Sequence, residues 1–395
     1  MTKKEKNVVQ NSLGEKRTVW LQAAGVGVVG LFVIYLVAFA PLFSVKYNSA
    51  AADVALSTST SSTTSTKYVA GAPAAAPIDT ADYDLRVWNV ANNGTSTAAK
   101  IAKALWLGQP TGTTTASTTK KFLWPAKNAP YPLPGAILPY RRIIAYYGNF
   151  YSKGMGVLGQ YPQDVMLSKL SDEVAKWNAA DPATPAIPAI DYIALTAQGS
   201  AGADGKYRAR MPDSQIDHAV ELANEIHGIV ILDVQVGLSN LQTELPLLEK
   251  YLKMPNVHLA IDPEFSMKDG AKPGTEIGTF GSSDVNYAAN YLARLVRDNN
   301  LPPKVLIIHR FTQGMVTGVK NIKPLPEVQM VMDMDGWGSP AKKIGTYTHF
   351  VQAEPLQFTG FKLFYRNDLK APSTRILTPS ELLKLSPKPL FIQFQ

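Results

Sequence analysis

GIVILDVQVG at 228–237 and VHLAIDPEF at 257–265 both open on aliphatic, mostly β-branched residues and finish on polar residues two apart, Asp233 with Gln235 and Asp262 with Glu264. A run that is apolar through its first half belongs to a strand buried on both faces, as in a parallel sheet covered by helices. Six more runs share this form: RRIIAYYGNF (141–150), AIDYIALTAQG (189–199), KVLIIHRFT (304–312), VQMVMDMDGWG (328–338), GFKLFYRND (360–368) and PLFIQFQ (389–395). Amphipathic stretches separate them. Met166, Leu170, Val174 and Trp177 recur on one face of 163–179, and Val285, Ala289, Leu292 and Val296 on one face of 284–299. Helix starts are read at Asp213, at Ser283 or Asp284, and at Thr378-Pro379. Eight such units over about 255 residues predict a single (β/α)8 barrel of the TIM type. An open doubly wound sheet would carry two edge strands and more polar runs, whereas all eight here start apolar, and a last strand at the end of the sequence suits closure against the first.

Upstream of the barrel the composition changes. Residues 19–43 (VWLQAAGVGVVGLFVIYLVAFAPLF) carry no charge and are long enough to span a bilayer as a helix. Ala38-Phe39-Ala40 resembles a signal-peptidase site, but the apolar run exceeds a signal peptide's usual core and Pro41 follows directly, so an uncleaved transmembrane helix is the expectation. Lys3, Lys4, Lys6, Lys16 and Arg17 precede the span and Lys46 follows it, which places the N-terminus in the cytoplasm and the bulk of the protein outside, as a single-pass plasma-membrane protein. The expected organisation is a basic tail (1–18), the span (19–43), a disordered Ser/Thr/Ala-rich stalk (44–80), a small satellite or irregular segment (81–130) and the barrel (131–395). Within the satellite, 85–88 reads as strand-like and 96–107 as helix-like. The net charge of +8 does not mark a nucleic-acid binder, because no basic run is interleaved with aromatics. The absence of cysteine excludes disulfides, thiolate chemistry and zinc knuckles, and suits an exported chain.

The strand ends carry the candidate chemistry. Side chains alternate along a strand, so 233/235, 262/264 and 333/335 each put two polar groups on one face, and barrel strands deliver their C-terminal ends to one rim. Clustered carboxyls at one place are costly unless they hold a substrate or an ion, and crowding raises the pKa of one member. Glu264 is the expected acid/base, with Asp335 and then Asp333 as partner carboxylate and Asp262 held beside Glu264 by Pro263. Asp233, Gln235, His309, Arg310, Trp337, Tyr365, Tyr147 and Gln393 are the expected substrate contacts, with Phe265 and Phe311 as further rings near the rim. Arg208 and Arg210 could grip an anion, and the Gly-rich segment 268–283 reads as a mobile lid because it lacks phosphate-loop spacing. No cofactor and no metal ligand set is assigned.

This constellation resembles the glycoside-hydrolase-like TIM barrels of bacterial cell-surface proteins, over residues 141–395. Asp262-Pro263-Glu264 occupies the position at which such families often carry Asn-Glu on the fourth strand. The seventh strand offers Lys362, Tyr365 and Asp368 where a Glu is common. The resemblance implies a barrel acting on a cell-envelope or environmental glycan. A divalent-metal hydrolase using the same acidic rim and a non-catalytic glycan-binding module are the alternative expectations. If the topology is right, protease treatment of intact cells removes the C-terminal domain; a domain that survives in intact cells and is cut only after lysis contradicts the outside placement.

Overall fold

The computed structural model describes residues 76–93, 97–109, 123–126 and 129–395. Eight parallel strands run in chain order: β1 Arg142–Gly148, β2 Ala186–Ala197, β3 Ile229–Val234, β4 Val257–Ile261, β5 Lys304–Arg310, β6 Val328–Met334, β7 Phe358–Leu363 and β8 Phe391–Phe394. Each pairs with its successor, and β8 returns to β1 with Phe391 opposite Ile143. The sheet therefore closes into a (β/α)8-type barrel, which excludes the open doubly wound arrangement.

The helices that cover it are α1 Thr80–Ala91, α2 Thr97–Trp106, α3 Gln163–Ala180, α4 Asp213–Glu225, α5 Ser282–Asn299 and α6 Pro340–Thr346. Their apolar faces follow the helical repeat: Met166, Leu167, Leu170 and Trp177 on α3, and Val285, Ala289, Leu292 and Val296 on α5, are buried against the barrel's outer surface. The Asp284 carboxylate caps α5 by accepting from Gly281 N at 2.8 Å, and Asn300 ends that helix in the left-handed conformation, φ +51°. Between β5 and β6 the helix is replaced by two 3-10 turns, Gln313–Met315 and Val319–Asn321, in a stretch punctuated by Gly314, Gly318, Pro324 and Pro326.

Inside the barrel a second apolar layer contains Ile143, Ala145, Ala189, Ile231, Ala260, Val305, Ile307, Val331, Phe358 and Phe391. Its floor is closed by Leu138 and by Tyr83 of α1, with Val87 and Val90 packed alongside. The strand-like reading of 85–88 is thus overturned. Asp79 accepts from the amides of Ala81 and Asp82 and starts a helix, and Tyr83, Val87 and Val90 lie at helical spacing on the face turned to the floor. Pro77–Gln395 forms one compact unit. Among the described residues no helix is long and apolar enough to cross a membrane. The expected tail, the span at 19–43 and the stalk up to residue 75 lie outside the described residues.

Gly360 on β7 faces the barrel interior where space is short. A Cβ there would sit 2.5 Å from Asp333 Oδ1 and 2.9 Å from a ring carbon of Phe391. Gly360→Ala should therefore destabilise the fold by about 1–3 kcal/mol through overpacking. An unchanged urea midpoint in the variant would show that the interior has more slack than this contact allows.

Candidate functional site

Above the apolar interior, each of the eight strands, or in β4 the residue directly after it, contributes one polar side chain to a single inward-facing ring. In chain order these are Tyr147, Asp191, Asp233, Asp262, His309, Asp333, Lys362 and Gln393, none more than 3 % exposed. Two-residue alternation produces the ring: Ala145, Ala189, Ile231, Ala260, Ile307, Val331, Gly360 and Phe391 precede these residues by two positions on the same face.

His309 organises the ring. Its Nε2 lies 3.0 Å from Asp233 Oδ2, and its Nδ1 lies 3.1 Å from Asp333 Oδ2 and 3.5 Å from Asp335 Oδ2. Burial alone would hold its pKa down, but the charges of Asp233, Asp333 and Asp335 prevail and raise it well above the ordinary histidine value. The ring is therefore an imidazolium held between carboxylates, both nitrogens donating. Lys362 is the second cation. Its Nζ lies 3.1 Å from Asp335 Oδ1 and 3.9 Å from the centre of the Tyr147 ring, and burial, which lowers its pKa, is outweighed by Asp335, Asp262 and Asp233. Gln393 donates to Asp191 Oδ2 at 2.5 Å, while burial and then the charge of Asp233 hold the Asp191 carboxyl well above its usual range. Gln235 bridges outward, accepting from Ala197 N at 3.1 Å and donating to the Tyr147 hydroxyl at 3.2 Å and to Asp262 at 3.4 Å.

At the rim the chain leaves strand geometry. β4 ends at Ile261, and Asp262 caps a 3-10 turn, Pro263–Phe265, by accepting from Glu264 N at 3.0 Å. Glu264 therefore reaches the site by this turn and not by strand parity with Asp262. The Glu264 carbonyl accepts from Gly278 N at 2.7 Å, and a Cβ on Gly278 would lie 2.6 Å from Pro263 O, so the 268–283 segment is bonded directly to the turn that carries Glu264. The same segment pairs Phe280–Gly281 with Val316–Thr317 in a small second sheet. Burial and then the negative neighbours Asp262 and Asp335 push the Glu264 carboxyl well above the usual carboxylate range, although part of its side chain meets solvent. Burial likewise pushes Asp262 up to about 7. Asp335, 8 % exposed, is held between Lys362 and His309.

The structure brings together Glu264, Asp335, Asp333, Asp262, Asp233, Gln235, His309, Tyr147 and Gln393. Arg310 and Tyr365 it places elsewhere, one residue out of phase with the inward face. Arg310 is buried on the outer side, donating to the carbonyls of Thr312 and Gln313 and to Glu354 at 2.5 Å. Tyr365 stacks on Phe394 with ring centres 5.3 Å apart and donates to Glu173 of α3 at 3.2 Å. Trp337 is half-buried on the loop after β6, with Lys342 and Lys370 ammonium groups 4.9 and 5.3 Å from its ring centre. Arg208 and Arg210 form a short strand beside the end of β2, where both are ion-paired to the buried Glu244 at 2.9 and 2.8 Å. Asp191 and Lys362 are ring members that the sequence reading left out. The signal was present in the two-residue spacing from Ala189 and Gly360. Among the described residues no group of three or more His, Asp or Glu side chains is disposed to hold a metal ion.

No protein-family model matches the chain, and no curated protein matches it by sequence. Solved structures that match include a Burkholderia cenocepacia dihydropteroate synthase complexed with 7,8-dihydropteroate, at 10% identity and a TM-score of 0.32 over 67% of this chain and 90% of that one. A ruminal GH26 endo-β-1,4-mannanase matches at 13% identity and a TM-score of 0.34, over 81% of this chain and 66% of that one.

The shift at Asp262 has a thermodynamic signature. The folded state keeps on Asp262 a proton that the unfolded chain releases above the ordinary value of 3.8, so this group's contribution to stability falls as pH rises from 3.8 to about 7 and is level above that. Asp262→Asn should make stability fall less between pH 4 and 7 than in the wild type, as read by urea denaturation at a series of pH values. Parallel curves for the two proteins would place the titration elsewhere.

Proposed function

We propose that the chain is a membrane-anchored, extracytoplasmic barrel that acts on a glycan of the cell envelope or environment, with Glu264 as general acid/base and Asp335 as the partner carboxyl. One observation carries this reading: two rim carboxyls sit in opposite electrostatic settings. Enclosure and the negative neighbours Asp262 and Asp335 hold the Glu264 carboxyl well above the usual carboxylate range, while Asp335 lies 3.1 Å from the Lys362 ammonium and faces the His309 imidazolium. Glycoside cleavage asks for that division, a proton donor for the leaving oxygen and a carboxylate to stabilise or attack the developing oxocarbenium centre or to activate water. The location supports it as well, since both groups stand at the C-terminal ends of barrel strands.

The other ring members have subordinate parts in this scheme. Asp333 and Asp233 keep His309 charged, His309 and Lys362 pair with Asp335, and Asp262 fixes the turn that carries Glu264. Gln235 ties Tyr147 to Asp262 beneath the rim, and the half-buried Trp337 supplies flat apolar surface of the kind that sugar faces use.

Lys362 stands on the seventh strand where a catalytic Glu is common, and this favours the second reading, a module that binds glycan without turnover. The two are separated by the same experiment. Glu264→Gln and Asp335→Asn should each lower glycan hydrolysis by about 10²- to 10⁴-fold with the melting temperature near that of the wild type. Hydrolysis that survives both changes sinks the acid/base assignment, and glycan retention by the wild type with no released product favours the binding module.

A further inference from the structure

At the end of the barrel opposite the carboxylate ring, a cavity of about 300 Å³ opens between α1, α2 and the start of β7. Its walls include Tyr83, Asp84, Val87, Trp106, Tyr131 and Phe358. The rings of Tyr83 and Tyr131 meet nearly at right angles, 5.6 Å between centres and 76° between planes, and form a corner in place of a flat platform. Trp106 is fixed by donating its indole N–H to the Asp84 carbonyl at 3.2 Å. The Tyr131 hydroxyl donates to Asp84 Oδ2 at 2.8 Å, which anchors the one charged group among the described residues of the wall. No described residue that lines the cavity is basic.

Tyr83 and Tyr131, set at an angle to one another, and Trp106 place electron-rich rings on the wall of this cavity, and the Asp84 carboxylate adds a full negative charge. Among the described lining residues an anion finds no basic partner. A sugar ring would use a flat aromatic platform more readily than a corner. Methylated ammonium groups match all three properties, since the charge is spread over an apolar surface that fits aromatic and aliphatic walls. We propose that this cavity is a binding site for a small organic cation of the quaternary or methylated ammonium class, separate from the carboxylate ring and independent of its chemistry. Asp84 supplies the counter-charge, and Tyr83, Trp106 and Tyr131 supply the cage.

The test uses the whole protein, with choline as probe and its uncharged carbon isostere 3,3-dimethylbutan-1-ol as control, by titration calorimetry and tryptophan fluorescence. Choline should bind saturably with a Kd of roughly 1 mM or tighter, and the isostere at least about tenfold more weakly, because shape is preserved and only the charge is lost. Asp84→Asn and Trp106→Leu should each weaken choline binding by about tenfold or more, with thermal melting reported beside each titration. Equal binding of choline and the isostere would reduce the cavity to an apolar pocket and overturn the proposal. So would the absence of saturable choline binding by the wild type, a result that depends on no variant folding. Competition by phosphatidylcholine vesicles, with phosphatidylglycerol vesicles as control, tells whether a lipid headgroup or a free cation reaches the site; displacement of bound choline by the first and not the second supports a lipid source, and displacement by neither supports a free one.

Discussion

His309 between Asp233 and Asp333 is the interaction on which the rest of the site depends. Closing eight strands into a barrel brings one polar residue from every strand to the same depth, away from water. Four aspartates at that depth could not all be ionised, since an isolated buried carboxylate costs several kcal/mol. The ring resolves the conflict in two ways. Two cations, His309 and Lys362, face carboxylates, and burial leaves Asp191 and Asp262 holding protons at pH values where exposed aspartates have lost them. Unpaired acceptors remain, Asp191 Oδ1, Asp233 Oδ1, Asp333 Oδ1 and Gln393 Oε1, so the hydrogen bonding of the layer is not fully satisfied.

The same layering separates two kinds of carboxyl. The members on the strands are sealed beneath the rim and act on one another, whereas Glu264 and Asp335 stand just past the strand ends and meet solvent in part. The backbone supports this division. Asp262 N, Gln235 N and Asp335 N continue the ladder to the neighbouring strand by donating to Val234 O, Leu195 O and Arg310 O at 3.1, 2.9 and 3.1 Å, so the rim residues are registered by sheet hydrogen bonds even where the strand has formally ended. Glu264 alone depends on a turn, and that turn is buttressed by the 268–283 segment.

The barrel and most of its polar ring were legible in the sequence because both follow from one rule, the alternation of side chains along a strand. The eight apolar runs marked the strands, and the residues two past an inward aliphatic marked the ring. The rule was applied unevenly. Asp191 escaped because its run continues through Ile193, Ala194 and Leu195, so it did not stand at an apparent strand end. Lys362 escaped because an acid was sought on that strand. Arg310 and Tyr365 entered by proximity although their phase points them outward. The helix at Thr80–Ala91 is hidden by Val87, Trp88 and Val90, which favour a strand locally, while the Asp79 cap and the Tyr83, Val87 and Val90 face become decisive only against a barrel floor that needs covering.

That floor also redraws the boundary of the folding unit. A barrel counted from its first strand would start near Arg142, but it would lack Leu138 and α1, and its interior would then open at the bottom onto water at Phe358 and Phe391. α1 is the lid of a vessel whose contents are Ile143, Ile231, Val305 and Val331. The compact unit of this chain runs from Pro77 to Gln395, and an excision that starts at the strands removes the helix that covers this floor.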